Sequence, residues 1–311
     1  MPLYNEEENI IELHDRISNA LDSIQLTCEI IYVNDGSMDG TWIKLEEISR
    51  SDDRVVAISF SRNYGQTAAM QAGFEAAKGD VIITLDGDLQ NDPSDIPLLL
   101  EKLSKGYDLV SGWRVNRQDK AVSRKIPSKI ANWLIGRITG VRLHDYGCSL
   151  KAYRADVVKK IQLYGEMHRF IPALASIVGS KVAEVPVKHY ARTRGLSKYG
   201  ILRTPKVFLD LLLVQFLLRY RTRPLHILGG TGLITGAIGF LIALYLTFQK
   251  IFFGVQLAKR PLLIMAVMLM LAGLQLLTTG ILADLVMRTY FESQGRHPYW
   301  IREKIGRGIE D

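Results

Sequence analysis

The chain has 311 residues, which at about 150 per domain allows two structural units. With 23% charged and 48% hydrophobic residues, 26 Gly and 10 Pro, it is neither disordered nor collagen-like nor low in complexity. Cys28 and Cys148 are too few for a disulfide framework and lack CxxC or HxxxH company, while the net charge of +7 leaves nucleic acid, anionic lipid or phosphorylated substrates as partners.

The start, Met1 to Glu8, has neither the basic opening nor the apolar core of a signal peptide. Apolar runs rich in β-branched residues predict strands at Cys28–Asn34, Val55–Ser61, Val81–Leu85, Asp108–Gly112, Cys148–Tyr153 and Val182–His189. Between them, helical periodicity marks Glu7–Ser23, Thr41–Arg50, Gly65–Ala77 and Ile96–Ser104. This alternation predicts an α/β domain with a doubly wound, mostly parallel sheet over residues 1–199. A first strand should precede Tyr4, yet only Met1 to Leu3 remain to form it, so it is very short or the start is truncated.

The composition then changes. From Lys206 to Arg219 an apolar run, Leu211 to Leu218, is too short to span a bilayer, and residues 200–223 are read as an amphipathic helix in the headgroup layer. Leu225 to Gln249 and Pro261 to Ala283 hold no Asp, Glu, Lys or Arg, and each can cross about 30 Å of hydrocarbon at 1.5 Å per residue. Residues 224–288 therefore read as a transmembrane hairpin, followed by a basic tail at 289–311. Eight Lys and Arg flank its outer ends (Arg219, Arg221, Arg223, Arg288, Arg296, Arg302, Lys304, Arg307) against three in its connection (Lys250, Lys259, Arg260), which puts both ends and the α/β domain in the cytoplasm, at the cell membrane. Gly232 and Gly236 supply small-residue spacing for close helix approach, a hint of oligomers.

In a doubly wound sheet, ligands bind beyond the carboxyl ends of the strands, where Asn34-Asp35-Gly36-Ser37 and Asp86-Gly87-Asp88 fall. Two carboxylates one residue apart suit a hard divalent cation, Mg²⁺ or Mn²⁺, that would hold a diphosphate. The same spacing also occurs in solvated turns. No GxGxxG or GxxxxGK[ST] is present, so dinucleotide and P-loop readings lose their support.

Pro2-x-Tyr4-Asn5-Glu6, Val33-Asn34-Asp35-Gly36-Ser37-x-Asp39-Gly40-Thr41, Arg62-Asn63-x-Gly65, Asp86-Gly87-Asp88-Leu89-Gln90 and Asp92-Pro93 together resemble the family 2 inverting glycosyltransferases. Gly112-x-Arg114, His144-Asp145-Tyr146-Gly147-Cys148 and Arg194-Gly195-x-Ser197-Lys198-Tyr199 are similar to its polyprenyl-phosphate branch, which includes dolichol-phosphate mannose synthase, and most of all to bactoprenol glucosyltransferases. The resemblance implies an A-type glycosyltransferase fold and inverting transfer of a hexose to polyprenyl (undecaprenyl) phosphate. Glucose from UDP-glucose is its first expectation; mannose from GDP-mannose is the second, and a non-catalytic nucleotide-binding membrane protein a third. It also implies a homo-oligomer, with a tetramer as the expected size.

By resemblance, Pro2, Tyr4, Glu6 and Asp35 would surround the base, Asp86 the ribose, Asp88 the metal with Asp86 beside it, and Gln90 the sugar or diphosphate. Tyr4 and Glu6 read equally well as an ordinary helix start. Asp145 is the candidate base; because a phosphate monoester has a second pKa of about 6, positioning the acceptor is as much its expected role as proton removal. Arg114, Arg124 and Ser128 are the acceptor-phosphate candidates, guanidinium groups being suited to an anionic head. Arg194 and Lys198 belong either to a loop closing on the leaving diphosphate or to a linker lying on anionic lipid. A nucleic-acid partner would need interleaved aromatic and basic residues on one surface, and the sequence offers none.

Overall fold

The computed structural model describes residues 1–24, 26–115, 132–133, 135–137, 139–163, 167–177, 179–191, 224–254, 256, 261–292 and 299–306. They fall into two units, Met1–Val214 with His297–Asp311, and Gln215–Arg296.

In the first unit, β1 (Pro2–Leu3), β2 (Ile30–Asn34) and β3 (Val55–Phe60) pair in parallel, with Leu3 opposite Asn34 and Asn34 opposite Ser59. β1 comprises only Pro2 and Leu3 of the given sequence. Helices α1 (Ile10–Asp22) and α2 (Thr41–Ser51) provide the crossovers that parallel pairing demands. On α1, Ile10, Leu13, Ile17 and Ala20 recur at helical spacing and are the buried face, the first three packed into the cluster that holds Tyr32, Leu45 and Val55. Helix α3 (Gln66–Ala76) is buried on most of its residues and leads to β4 (Val81–Thr84).

The second sheet runs β4-β6-β5-β7, with α4 (Ile96–Ser104) between β4 and β5. β5 (Leu109–Arg114) and β7 (Val182–Val187) are parallel, whereas β6 (Lys151–Arg154) is antiparallel to both β4 and β5. This is where the sheet departs from mostly parallel. The chain re-enters through residues 145–150 at the edge where β5 ends, and a strand entered there can only run back. Two short helices, α5 (Ala155–Val158) and α6 (Ile171–Ile177), precede β7.

The second unit is a pair of long helices, α7 (Pro224–Phe253) and α8 (Pro261–Glu292). The stretches Leu228–Phe253 and Pro261–Ala283 are long and apolar enough to cross a membrane, and only 17% and 11% of their most apolar windows are buried, unlike the core helix of a soluble protein. Some of their glycines permit close approach within the hairpin: a Cβ on Gly232 would come within 2.6 Å of the Gly273 carbonyl oxygen, and one on Gly239 within 2.7 Å of that of Ala266. The small-residue spacing read as a hint of oligomers thus serves contact between two helices of one chain.

After α8 the chain returns to the first unit. β8 (Ile301–Ile305) pairs antiparallel with β3, Ala57 facing Ile305, inside the region read from sequence as a basic tail. Its residues are mostly exposed and three of five are charged, a common way of protecting a sheet edge.

Candidate active site

The carboxyl end of β2 delivers Asp35, which is 3% exposed and accepts hydrogen bonds from the Tyr64 and Gly65 amides at 2.7 and 2.9 Å. Burial pushes its pKa up to about 6 despite those two bonds. The turn after it is tied to β1: the Asn5 amide donates to Ser37 Oγ and the Met38 amide to Asn5 Oδ1, both at 2.9 Å. Gly36 has a φ of +66°, and a Cβ there would fall on the Arg62 backbone, so only glycine lets the two loops meet.

Beyond β4 lies the acidic loop. Asp86 Oδ1 accepts from Gln66 Nε2 at 2.8 Å, and Asp88 Oδ1 accepts from the Gln90 amide at 3.3 Å. A Cβ on Gly87 would come within 2.5 Å of Leu3 Cδ2, so the glycine lets the acidic loop pack against β1. Leu89 has a φ of 59°, a left-handed conformation that costs a side-chain-bearing residue roughly 1–3 kcal/mol and here shapes the loop bearing the two carboxylates. Burial, then the neighbouring Asp88 charge, raises the Asp86 pKa; Ser149, Lys151 and Arg114 pull it back. Among the described residues no three His, Cys, Asp or Glu side chains group to hold a metal. Two mutually repelling carboxylates nevertheless fit an ion such as Mg²⁺, which commonly takes one or two protein carboxylates and completes its shell with substrate phosphates and water.

A further carboxylate, Asp145, lies ahead of β6. Asp145 is 5% exposed and receives Arg114 in a two-pronged ion pair, Nε to Oδ2 at 2.6 Å and Nη2 to Oδ1 at 2.9 Å. The Gly147 amide adds a third bond, to Oδ1, at 3.0 Å. Arg114, read as an acceptor-phosphate group, is thus turned onto the candidate base. His144 stacks on Trp113, ring centroids 4.3 Å apart.

The structure therefore brings Asp86, Arg114 and Asp145 into one electrostatic neighbourhood, with Asp88 and Gln90 on the same loop as Asp86. Glu6 lies just ahead of α1, accepting from Asn9 Nδ2 at 2.7 Å while its amide donates to Thr41 Oγ1. Pro2 sits in β1, with half-buried Tyr4 just beyond it. Arg124, Ser128, Arg194 and Lys198 lie outside the described residues. Sequence reasoning missed Gln66, Ser149, Lys151 and Glu184. The last two did carry a signal, each being an ionisable residue inside an apolar strand run, where charges are rarely buried without a partner.

Comparison with known proteins bears on this arrangement. A family model described as glycosyl transferase family 2 matches residues 1–162. A dodecaprenyl-phosphate galacturonate synthase of Rhizobium johnstonii is 48% identical over 97% of the chain and 91% of its own length. An undecaprenyl-phosphate 4-deoxy-4-formamido-L-arabinose transferase of Pseudomonas paraeruginosa is 39% identical over 98% and 89%. Among solved structures, glucosyl-3-phosphoglycerate synthase from Mycobacterium tuberculosis, crystallised with Mn²⁺ and UDP-glucose, superposes with a TM-score of 0.53 at 20% identity, covering 69% of this chain and 76% of that one, a likeness of fold.

Proposed function

The chain belongs to glycosyltransferase family 2, in its polyprenyl-phosphate branch, and from that premise we propose that it moves a sugar from a UDP-sugar onto polyprenyl phosphate at the cytoplasmic face of the cell membrane, with inversion. The coarser activity, sugar transfer to a polyprenyl phosphate, is that of its branch. One observation carries the reading: the acidic loop and the Arg114–Asp145 pair lie close enough that Arg114 and Lys151 act on the charge of Asp86. Donor and acceptor sides are then parts of one site.

Asp86 and Asp88 would hold Mg²⁺ or Mn²⁺ together with the donor diphosphate. The bound ion would supply charge neutralisation for the leaving nucleotide. Asp35, Tyr4, Pro2 and Glu6 are assigned to the base side, Gln90 to the sugar or diphosphate, and Arg124 and Ser128 to the acceptor phosphate. Arg194 and Lys198 would cover the diphosphate. Asp145, whose two oxygens already accept three hydrogen bonds, suits an anion that fixes the acceptor and Arg114 more than one that collects a proton.

For the sugar, relatives at 48% and 39% identity are named for galacturonate and formamido-arabinose, so UDP-galacturonate is placed ahead of the UDP-glucose that motif resemblance favoured, and GDP-mannose behind both. The test offers the purified full-length protein, with Mn²⁺, labelled UDP-galacturonate, UDP-glucose and GDP-mannose together with undecaprenyl phosphate. A lipid-linked galacturonate that disappears in Asp88→Ala is expected. Failure to form any lipid-linked sugar would overturn the proposal.

A further inference from the structure

The turn carrying Asp145 is held by two charges of opposite sign, the partly buried Glu184 and the buried Lys151. Glu184, on β7, spends both carboxylate oxygens on backbone: Oε2 accepts the His144 amide at 2.8 Å and Oε1 the Asp145 amide at 3.0 Å, with His144 Nδ1 also at 2.9 Å from Oε2. Lys151, at the first position of β6, takes the other polarity. It is 4% exposed, and its Nζ donates to the carbonyls of Tyr146, at 3.2 Å, and Cys148. A turn at a sheet edge has amides and carbonyls that its own backbone does not satisfy, and a buried one needs partners for them. Here the amides entering the turn go to a carboxylate, and the carbonyls leaving it go to an ammonium.

A neutral side chain could meet part of this need at less desolvation cost. Glutamine can accept with only one of its two end atoms, and methionine donates nothing. Charge-assisted bonds are the stronger kind, and these four backbone bonds bracket Asp145, whose carboxylate holds Arg114. Lys151 also lies within electrostatic reach of both Asp86 and Asp145, so the clamp joins the two halves of the site.

We propose that Glu184 and Lys151 are positioning residues for sugar transfer, a two-charge clamp that fixes the Asp145 turn so that Asp145 and Arg114 face the acceptor in the reactive geometry. This rests on the transferase reading above and deepens it. Neither residue touches substrate; each acts through the turn, and a turn misplaced by about 1 Å can cost a hundredfold in rate.

The test uses full-length protein in nanodiscs with the best donor, undecaprenyl phosphate and Mn²⁺. Four variants are compared: Glu184→Gln, which keeps shape, Lys151→Met, Asp145→Asn, and the double variant Glu184→Gln/Asp145→Asn. In Glu184→Gln, kcat should fall roughly ten- to a hundredfold, while UDP binding measured by calorimetry and the midpoint of thermal unfolding stay close to the parent's. The double variant should be no slower than Asp145→Asn alone, because a residue that acts through Asp145 has nothing left to act on. Lys151→Met should show the same pattern. If it does not fold, Glu184→Gln and the double variant still decide. Additive losses, an unchanged kcat, or UDP affinity falling in step with kcat would overturn the clamp while leaving the transferase reading in place. Absence of lipid-linked product from the unaltered protein would overturn that reading, and the clamp with it.

Discussion

At the scale of single residues, the site is built from carboxylates whose surroundings differ. Asp145 is paired with a guanidinium, Asp86 faces another carboxylate, and Asp35 is buried against two backbone amides. The assignment of Asp145 can be tested by its pH dependence. The acceptor's second phosphate pKa is about 6, so a true base would matter most where the acceptor still carries a proton. Asp145→Asn is expected to lose the same factor in kcat at pH 6 and pH 8.5, the signature of positioning; a markedly greater loss at pH 6 would restore proton abstraction. Asp35 makes a prediction about stability. Its folded pKa of about 6 lies above the ordinary carboxylate value, so the folded state holds a proton that the unfolded chain has released. Its contribution is therefore present below about pH 4 and is lost as pH rises through 6. Asp35→Asn lacks this titration, so its unfolding midpoint relative to the parent should climb between pH 4 and pH 7, read by thermal denaturation with chelator present. A difference that stays flat or falls would refute the raised pKa.

At the scale of elements, the first half of the fold was legible because its signals are local. Helical spacing on α1 and β-branched runs at Ile30–Asn34, Val55–Phe60 and Val81–Thr84 determine those elements, and the acidic motifs fall at strand ends as a doubly wound sheet requires. What was not legible depends on distant partners. β6 shows an apolar run but not its direction, which comes from where the chain re-enters. β8 reads as a charged tail because pairing with β3, not its own composition, makes it a strand. Glu184 and Lys151 were visible as odd charges in apolar runs, yet their use becomes clear only when the turn between them is folded. The β8 segment also supports the site. Tyr299 stacks on Phe60 at 4.9 Å and its hydroxyl donates to Glu75, while the Ser61 amide donates to the Trp300 carbonyl, just before the loop that holds Asp35. Tyr299→Phe removes only the hydroxyl bond and should cost about 1 kcal/mol without altering UDP affinity. Tyr299→Ala also removes the stack, should cost about 3–5 kcal/mol, and should weaken UDP binding by loosening residues 61–65. Denaturant unfolding and calorimetry distinguish the two, and equal effects would deny β8 any part in shaping the loop.

At the scale of the whole molecule, one topological fact constrains the membrane arrangement more tightly than charge counting does. The chain leaves the first unit, forms α7 and α8, and returns to place β8 on the same sheet as β1 to β3. A sheet cannot be shared across a bilayer, so on the membrane reading proposed above both outer ends of the hairpin would lie on the side where the sheet folds, and the number of crossings would be even. On the same proposal, the excess of Lys and Arg at those ends would choose the cytoplasm. Two cysteine positions test this. Cys28 is partly exposed in the first unit, and Gln256 is exposed between the two helices. In intact cells, a membrane-impermeant maleimide should label the Cys28→Ser/Gln256→Cys protein from outside. The unaltered protein should be labelled at Cys28 only after permeabilisation, Cys148 being buried. Labelling of Cys28 in intact cells would place the sheet on the outer face and overturn the cytoplasmic assignment. Protection of Gln256→Cys from outside, together with labelling from within, would mean that the hairpin does not cross and that α7 and α8 are held at one membrane surface.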